Sequence, residues 1–260
     1  MAAICLGLAA SACAQTLLVP AGSVWKYLDD GSDPGIGWRA TNFNDSAWLA
    51  GPAELGYGDT SDGRPEATVL GWGPNANAKY ITSYFRRAFQ VAQPSAYTNL
   101  LLGLMRDDGA VVYLNGIEVF RSNMTNAPIT YTTPALLAVG GSDEFTFYTT
   151  NLSPALLLPG TNLLAVEIHQ VNGQSSDISF DLYLFGMVDT QLARLEVQRA
   201  GTALQVFWPV SAADGLLQAS DSLVPGAWQS LAAPPVIQNG RVQATLDLPT
   251  PRRFFRLAKP

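Results

Sequence analysis

The chain has 260 residues, room for one large or two ordinary domains, and its 48% apolar content is enough to fill real cores. Fifteen basic residues against twenty-one acidic ones leave a formal net charge of −6, with no basic cluster beyond Arg86-Arg87 and Arg252-Arg253. That balance argues against nucleic acid as a partner, since such binding rests on phosphate neutralisation. No later apolar run reaches the roughly 18 residues of a membrane span.

The first fifteen residues, MAAICLGLAASACAQ, are small and apolar and end in the A-x-A pattern Ala12-Cys13-Ala14. They read as a secretory leader covering residues 1–14, which predicts a secreted or cell-surface protein, with a buried N-terminal strand as the alternative. Both cysteines, Cys5 and Cys13, fall inside it, so the mature chain is expected to hold no disulfide and no cysteine-based metal site.

Beyond the leader, helical periodicity is nearly absent. Short runs rich in Val, Ile, Phe, Tyr and Thr alternate with Gly, Pro, Asn and Asp, which is the all-β pattern. Residues 83–91 form a strand with Phe85, Phe89 and Val91 inward, and residues 100–104 are almost continuously apolar, as in a central strand. Residues 110–114 and 117–120 flank Asn115-Gly116, the strongest short-range signal for a type I′ hairpin, because both turn residues need positive φ. A brief helical turn is expected at 153–157. Pro159-Gly160 then turns into a long strand, residues 161–170. In residues 178–184, Ile178, Phe180, Leu182 and Leu184 point inward, while Ser179, Asp181 and Tyr183 are expected on a wet face. The segment 186–192 reads as a boundary. After it a smaller β unit, residues 192–260, contains TALQVFWP, with Leu204, Val206 and Trp208 on one face, and a terminal FFRL strand.

The blocks WKYLDDGSDPG, YFRRAFQV, LLLGLMRDDGAVVYLNGIEVF and PGTNLLAVEIHQ follow one another in an order that resembles the galactose-binding-like jelly-roll modules. Among these are the sugar-binding domain of family 2 glycoside hydrolases and related modules of secreted environmental bacterial proteins. The resemblance covers residues 17–188, and residues 192–260 resemble small fibronectin-like sandwiches. It implies an all-β protein, an antiparallel jelly-roll β-sandwich plus a second, smaller β-sandwich, and a role that is usually an accessory one without catalysis.

The census of chemistry agrees with an expectation that the chain is not an enzyme. His169 is the only histidine, and there is no G-x-S-x-G, H-E-x-x-H or phosphate-binding glycine loop. Glu167 and His169, two apart on one strand, share a face, as a base and its orienting carboxylate would. Asp107, Asp108, Asp143, Glu144, Glu167, Asp177 and Asp181 are available as paired carboxylates, but adjacency in sequence does not set the 5–9.5 Å a glycosidase pair needs. Asp107-Asp108-Gly109 also resembles the D-D-G loop of PA14-type sugar-binding modules. That resemblance implies a structural Ca²⁺ held at Asp107 and Asp108, and Asp29, Asp30 and Asp33 offer a second acidic cluster. Plain Asx-turn chemistry is the alternative for both. The candidate ligand-binding residues are Trp72, Tyr57, Trp38, Tyr80 and His169. Trp72 leads because glycines flank it in L-G-W-G-P and an exposed indole stacks on the apolar face of a pyranose. Trp25 and Trp48 read as core.

The expected function is binding of a polysaccharide or other glycan by a secreted module. The alternatives are a structural or adhesion spacer with no small ligand, and an accessory part of a polysaccharide-degrading system.

Overall fold

A computed structural model describes residues 13–189, 195–223, 227–231, 234–247 and 253–258. The leader expected at residues 1–14 lies outside them apart from the backbone of Cys13 and Ala14, which opens the first strand. Contacts divide the chain into two compact units, one of them Gln15–Val188 and the other containing Asp189–Pro260. Both are β-sandwiches, as the sequence predicts, antiparallel but for one short parallel pairing in the first unit.

The first unit holds β1 (Cys13–Val19), β2 (Val24–Leu28), β3 (Leu49–Pro52), β4 (Leu55–Tyr57), β5 (Thr68–Val69), β6 (Thr82–Val91), β7 (Asn99–Asp107), β8 (Gly109–Leu114), β9 (Ile117–Ser122), β10 (Tyr148–Leu152), β11 (Gly160–His169) and β12 (Ile178–Asp189). Sheet I runs β10-β7-β12-β4-β5, with β1 also on β12. Sheet II runs β3-β2-β6-β11-β8-β9. The period-2 alternation puts Leu100, Leu102, Leu104, Phe180, Leu182 and Leu184 of sheet I against Trp25, Phe85, Val112, Leu114, Val166 and Ile168 of sheet II. Phe180 is the keystone. Its ring stacks on Phe85 at 4.2 Å and meets the edge of Trp25 at 5.0 Å. Truncating so buried a ring to alanine typically costs about 3–5 kcal/mol.

Asn115 (φ 53°) and Gly116 (φ 85°) form the expected turn between β8 and β9. The Asn115 side chain ties the turn down by accepting from the Leu163 N–H at 2.9 Å and donating to Leu156 O at 2.9 Å. The short turn before Pro159 is a 3₁₀ turn, Pro154–Leu156, capped by the Ser153 hydroxyl.

The wet face expected on residues 178–184 is a correction. Ser179 is fully buried, Asp181 is buried and Tyr183 half-buried. Loops cover the outer side of sheet I: Ser179 donates to Asp59 at 2.5 Å, the Gly22 N–H donates to Asp181 at 2.9 Å, and Tyr183 packs on Phe147. The outer side of sheet II is covered too, by an aromatic cluster of Trp38, Tyr84 and Tyr113 with half-buried Phe43 and Trp48.

The smaller unit has β13 (Glu196–Ala200), β14 (Ala203–Pro209), β15 (Leu216–Ser220), β16 (Gln229–Ser230), β17 (Val236–Gln238), β18 (Arg241–Asp247) and β19 (Phe254–Ala258). They form the sheets β13-β14-β18-β17 and β16-β15-β19 over a core of Val206, Trp208, Leu217, Val242 and Ala244. Leu204 packs against the edge of that core.

Candidate functional site

Three places gather the chemistry, all in the first unit. At the end of β5, Leu70 anchors the following loop by donating its N–H to Gly56 O, and the chain then passes over Gly71 and Trp72. Trp72 is 40% exposed, and its ring lies 5.2 Å from that of Tyr57. Tyr57 is buried beneath it. Its hydroxyl accepts from Gln170 Nε2 at 2.7 Å, and the same nitrogen donates to Asp177 O at 2.8 Å. Burial, then the charges of Asp177, Asp107 and Asp108, push the Tyr57 phenol up to about 12 against the pull of that hydrogen bond.

Tyr80 is half-buried and serves the loop as a support, with its ring under Gly31 and Gly73. A Cβ at Gly73 would fall 2.9 Å from the ring, and φ there is 94°, so both space and backbone select glycine. The neighbouring loop is zipped on by Lys79 N–H to Gly173 O at 2.8 Å and by the Lys79 ammonium to Ser175 O. Of the expected ligand residues, then, the rim exposes Trp72, with Tyr57 and Tyr80 behind it.

Trp38 and His169 stand elsewhere, and the structure corrects both. Trp38 is buried on the outer side of sheet II, its ring packed on Tyr84 at 4.9 Å and Tyr113 at 5.8 Å, which leaves no stacking face. His169 is fully buried at the end of β11. Its Nδ1 lies 2.8 Å from Thr133 O, an acceptor only, so Nδ1 carries a proton there. Nε2 faces Glu167 Oε2 at 3.3 Å, and Glu167 Oε1 accepts from the Tyr113 hydroxyl at 2.6 Å. Beside this pair a cleft of about 150 Å³ is lined by Asp33, Trp38, Arg39, Tyr84, Tyr131 and Glu167. Burial, with the Glu167 charge adding, holds the Tyr84 and Tyr113 phenols far above their ordinary range.

The Asp107-Asp108 loop splits its two carboxylates, joined by a cis peptide bond. Asp108 uses both oxygens as loop anchors: Oδ1 accepts from Val139 N–H and Oδ2 from Val171 N–H, each at 2.7 Å. Asp107 is fully buried, and neither of its oxygens receives a hydrogen bond from a described donor. Burial pushes its carboxyl up to about 10, with Asp108, Asp177 and Glu144 adding. Arg106 does not neutralise it, for that guanidinium donates to Ser122 and lies 4.4 Å over the Tyr148 ring.

Asp59, Glu144 and Asp177 lie close by, with one carboxylate oxygen of each within 4.8 Å of the others. Arg64 reaches Asp59 at 3.2 Å, Glu144 at 3.4 Å and Glu54 at 3.7 Å. Burial, then Asp177 and Asp59, raise the Glu144 carboxyl despite Arg64. Glu144 and Asp177 are among the carboxylates counted from sequence, whereas Asp59 and Arg64 are not. The group comes from separate segments of the chain, and no linear spacing marks it. In the second acidic cluster Asp30 and Asp33 make Asx turns, accepting from Ser32 N–H and Gly35 N–H, while Asp29 ties down a distant loop by accepting from Gly71 N–H.

No protein-family model matches the chain, and no curated protein matches it. Among the solved structures similar to it are three β-glucuronidases. One from an uncultured Clostridium sp. has 12% identity over 98% of this chain and 44% of that one, with a TM-score of 0.40. One from Ruminococcus gnavus has 11% identity over 90% and 39%, TM-score 0.40. One from Bacteroides uniformis has 13% identity over 96% and 28%, TM-score 0.43. The chain spans less than half the length of each. The expectation that the chain is not an enzyme is withdrawn here, because the similar structures are enzymes. Matches this distant and partial assign this chain neither an activity nor the lack of one.

Proposed function

We propose that this is a secreted carbohydrate- or glycoconjugate-binding protein whose jelly-roll is of the galactose-binding-like type, followed by a fibronectin-like module. The observation that carries the reading is the Trp72 indole, held half out of the rim on a glycine-bounded loop and backed by Tyr57. A flat apolar ring, with the Lys79 ammonium 5.9 Å from the Tyr57 ring centre and Asp177 nearby, offers what a pyranose needs. The ring stacks on the C–H face of the sugar, and polar groups meet its hydroxyls.

The buried His169–Glu167 pair and the indole of Trp38 do not take part. A glycan array followed by polysaccharide pull-down tests the reading. Binding is expected to be weak, with Kd roughly 10 µM to 1 mM on the scale of one stacking contact and a few hydrogen bonds. An absence of binding to every plant, bacterial and host glycan tried would return the chain to the spacer alternative.

A further inference from the structure

The cleft beside Glu167 holds a cation that the fold leaves without an anion. Arg39 ends the 3₁₀ turn Ile36–Arg39. Buried Arg86 donates to the carbonyls on both sides of it, Trp38 O and Ala40 O, so the turn that carries Arg39 is fixed. The half-buried Arg39 guanidinium lies 4.3 Å over the Tyr113 ring. Its Nε is buried without an acceptor, and among the described residues no carboxylate pairs with it. Glu167 lines the same cleft but is engaged elsewhere: Oε1 accepts from Tyr113, and Oε2 faces His169. A guanidinium stacked on a ring keeps its N–H groups in its own plane, where they still meet a ligand.

The other walls add a donor and a fixed lip. Tyr84 lines the cleft, and its hydroxyl makes no hydrogen bond among the described residues. Burial first, then the Glu167 charge, holds that phenol far above its ordinary range, so it stays a donor at physiological pH. The lip around Tyr131 is held from below: the Thr82 hydroxyl donates to Tyr131 O and the His169 Nδ1–H to Thr133 O, each at 2.8 Å. The space of about 150 Å³ admits one six-membered ring, since an apolar cavity of that size takes up benzene. We propose that this cleft binds a small ring-bearing carboxylate, with the Arg39 fork on the carboxylate and the Tyr84 hydroxyl as a second donor. Arginine meets a carboxylate through two parallel N–H···O bonds, and a prepositioned guanidinium loses little freedom in making them. Asp33 and Glu167 also line the cleft and repel a dianion such as phosphate, which favours a single charge. The ring belongs to a sugar acid or to an aromatic acid. Trp72 is not part of this cleft, and the site stands whether or not the Trp72 rim binds glycan.

The test titrates the whole chain with D-galacturonate and with benzoate, D-galactose serving as the uncharged control, and reads saturation-transfer NMR and calorimetry. At least one acid is expected to bind with Kd roughly 0.1–10 mM, the scale of one bidentate ion pair. Binding of galacturonate alone marks a sugar acid, and binding of benzoate alone an aromatic one. Arg39→Gln is expected to weaken the acid by at least roughly tenfold. Arg39→Lys, which keeps the charge and loses the fork, is expected to recover only part of that. Tyr84→Phe keeps the ring, loses the hydroxyl and is expected to weaken the acid severalfold. Trp72→Ala is expected to leave acid binding unchanged, which separates this cleft from the rim. Should Arg39→Gln fail to fold, Arg39→Lys and Tyr84→Phe carry the comparison. A wild-type chain that binds neither acid overturns the proposal. So does acid affinity that survives intact in Arg39→Gln or vanishes in Trp72→Ala, and so does D-galactose bound as tightly as the acid by the Trp72→Ala chain.

Discussion

The two outer faces of the jelly-roll are both buried by loops, yet they handle charge in opposite ways. On sheet II the carboxylates have side-chain donors: Arg86 pairs with Asp45 at 2.8 Å, partly exposed Lys26 joins the same carboxylate at 2.7 Å, and Tyr113 donates to buried Glu167. Burial pushes the Asp45 carboxyl up, but the hydrogen bonds and charges of Lys26 and Arg86 outweigh it and hold the group below its ordinary range. On sheet I, Asp107 receives no hydrogen bond from a described donor, Asp177 accepts from the Ser176 hydroxyl at 2.9 Å, and Arg64 is shared among three acids. One face meets its carboxylates with donors, and the other leaves Asp107 without one among the described residues. A buried group left without a partner is where a ligand has something to contribute, because satisfied groups gain little from it.

The largest expected effect falls on sheet II. Arg86 is buried, bonds the Trp38 and Ala40 carbonyls as well as Asp45, and lies 5.1 Å over Phe43. Arg86→Ala is expected to cost about 3–5 kcal/mol, since it strands a partly buried carboxylate and two carbonyls. Arg64→Ala takes the cation from the more deeply buried Asp59 and Glu144 and is expected to cost about 3 kcal/mol. Urea unfolding of both variants checks this, and a loss within about 1 kcal/mol for either shows that the fold does not depend on that guanidinium.

The next effect sharpens the comparison by pH. Asp181, also on the outer side of sheet I, has its carboxyl pushed up by burial to about 6 from an ordinary 3.8, with the Gly22 and Leu182 amides pulling the other way. The folded chain keeps that proton to about pH 6, whereas the unfolded chain releases it near pH 4, so the Asp181 contribution to stability falls as pH rises between the two and is level above. The total loss across that window approaches about 3 kcal/mol. Asp181→Asn is expected to flatten the profile there while keeping an acceptor for Gly22. An Asp181→Asn profile that falls as steeply as the wild type through that window contradicts the assignment.

A smaller effect concerns sheet II alone. Gly116 sits at φ 85°, so Gly116→Val places a β-branched residue where it is strained and is expected to cost about 1–2 kcal/mol. Thermal unfolding reads it directly, and an unchanged Tm argues that the turn relaxes without penalty.

Features fixed by neighbours along the chain are legible in the sequence. Asn115-Gly116 announces its turn because positive φ is a local demand. Phe85, Phe89 and Val91, or Ile178 through Leu184, announce their inward faces because alternation is local too. The covering of Ser179 and Asp181 is not legible, because the groups that bury them, Asp59 and Gly22, stand 120 and 159 residues away. For the same reason Asp107 and Asp108 look like one site in the sequence. Their different roles depend on Val139, Val171 and Ser179, which the fold supplies and the D-D-G triplet does not. Trp38 and Trp72 show the limit for aromatics: both lie in irregular segments near glycines, and only tertiary packing decides that one is interior and the other half exposed.

The smallest expected stability effect bears most directly on function. Trp72 stands over Tyr57 and leaves two-fifths of its surface to solvent, so its removal uncovers part of one phenol and opens no interior cavity. Trp72→Ala is therefore expected to lower stability by no more than about 1 kcal/mol. Loss of the stacking face is expected to weaken binding of any glycan found on the array by at least roughly tenfold, since one stacking contact is worth about 1.4 kcal/mol or more when desolvated. Trp72→Phe keeps a flat ring and is expected to recover part of the affinity, which separates stacking from mere support of the loop. Calorimetric titration beside a melting curve reads both quantities on the same samples. If Trp72→Ala unfolds the first unit, or leaves glycan affinity untouched, the exposed indole is packing for Tyr57 and the rim has to be sought at the cleft lined by Asp33, Arg39 and Tyr131.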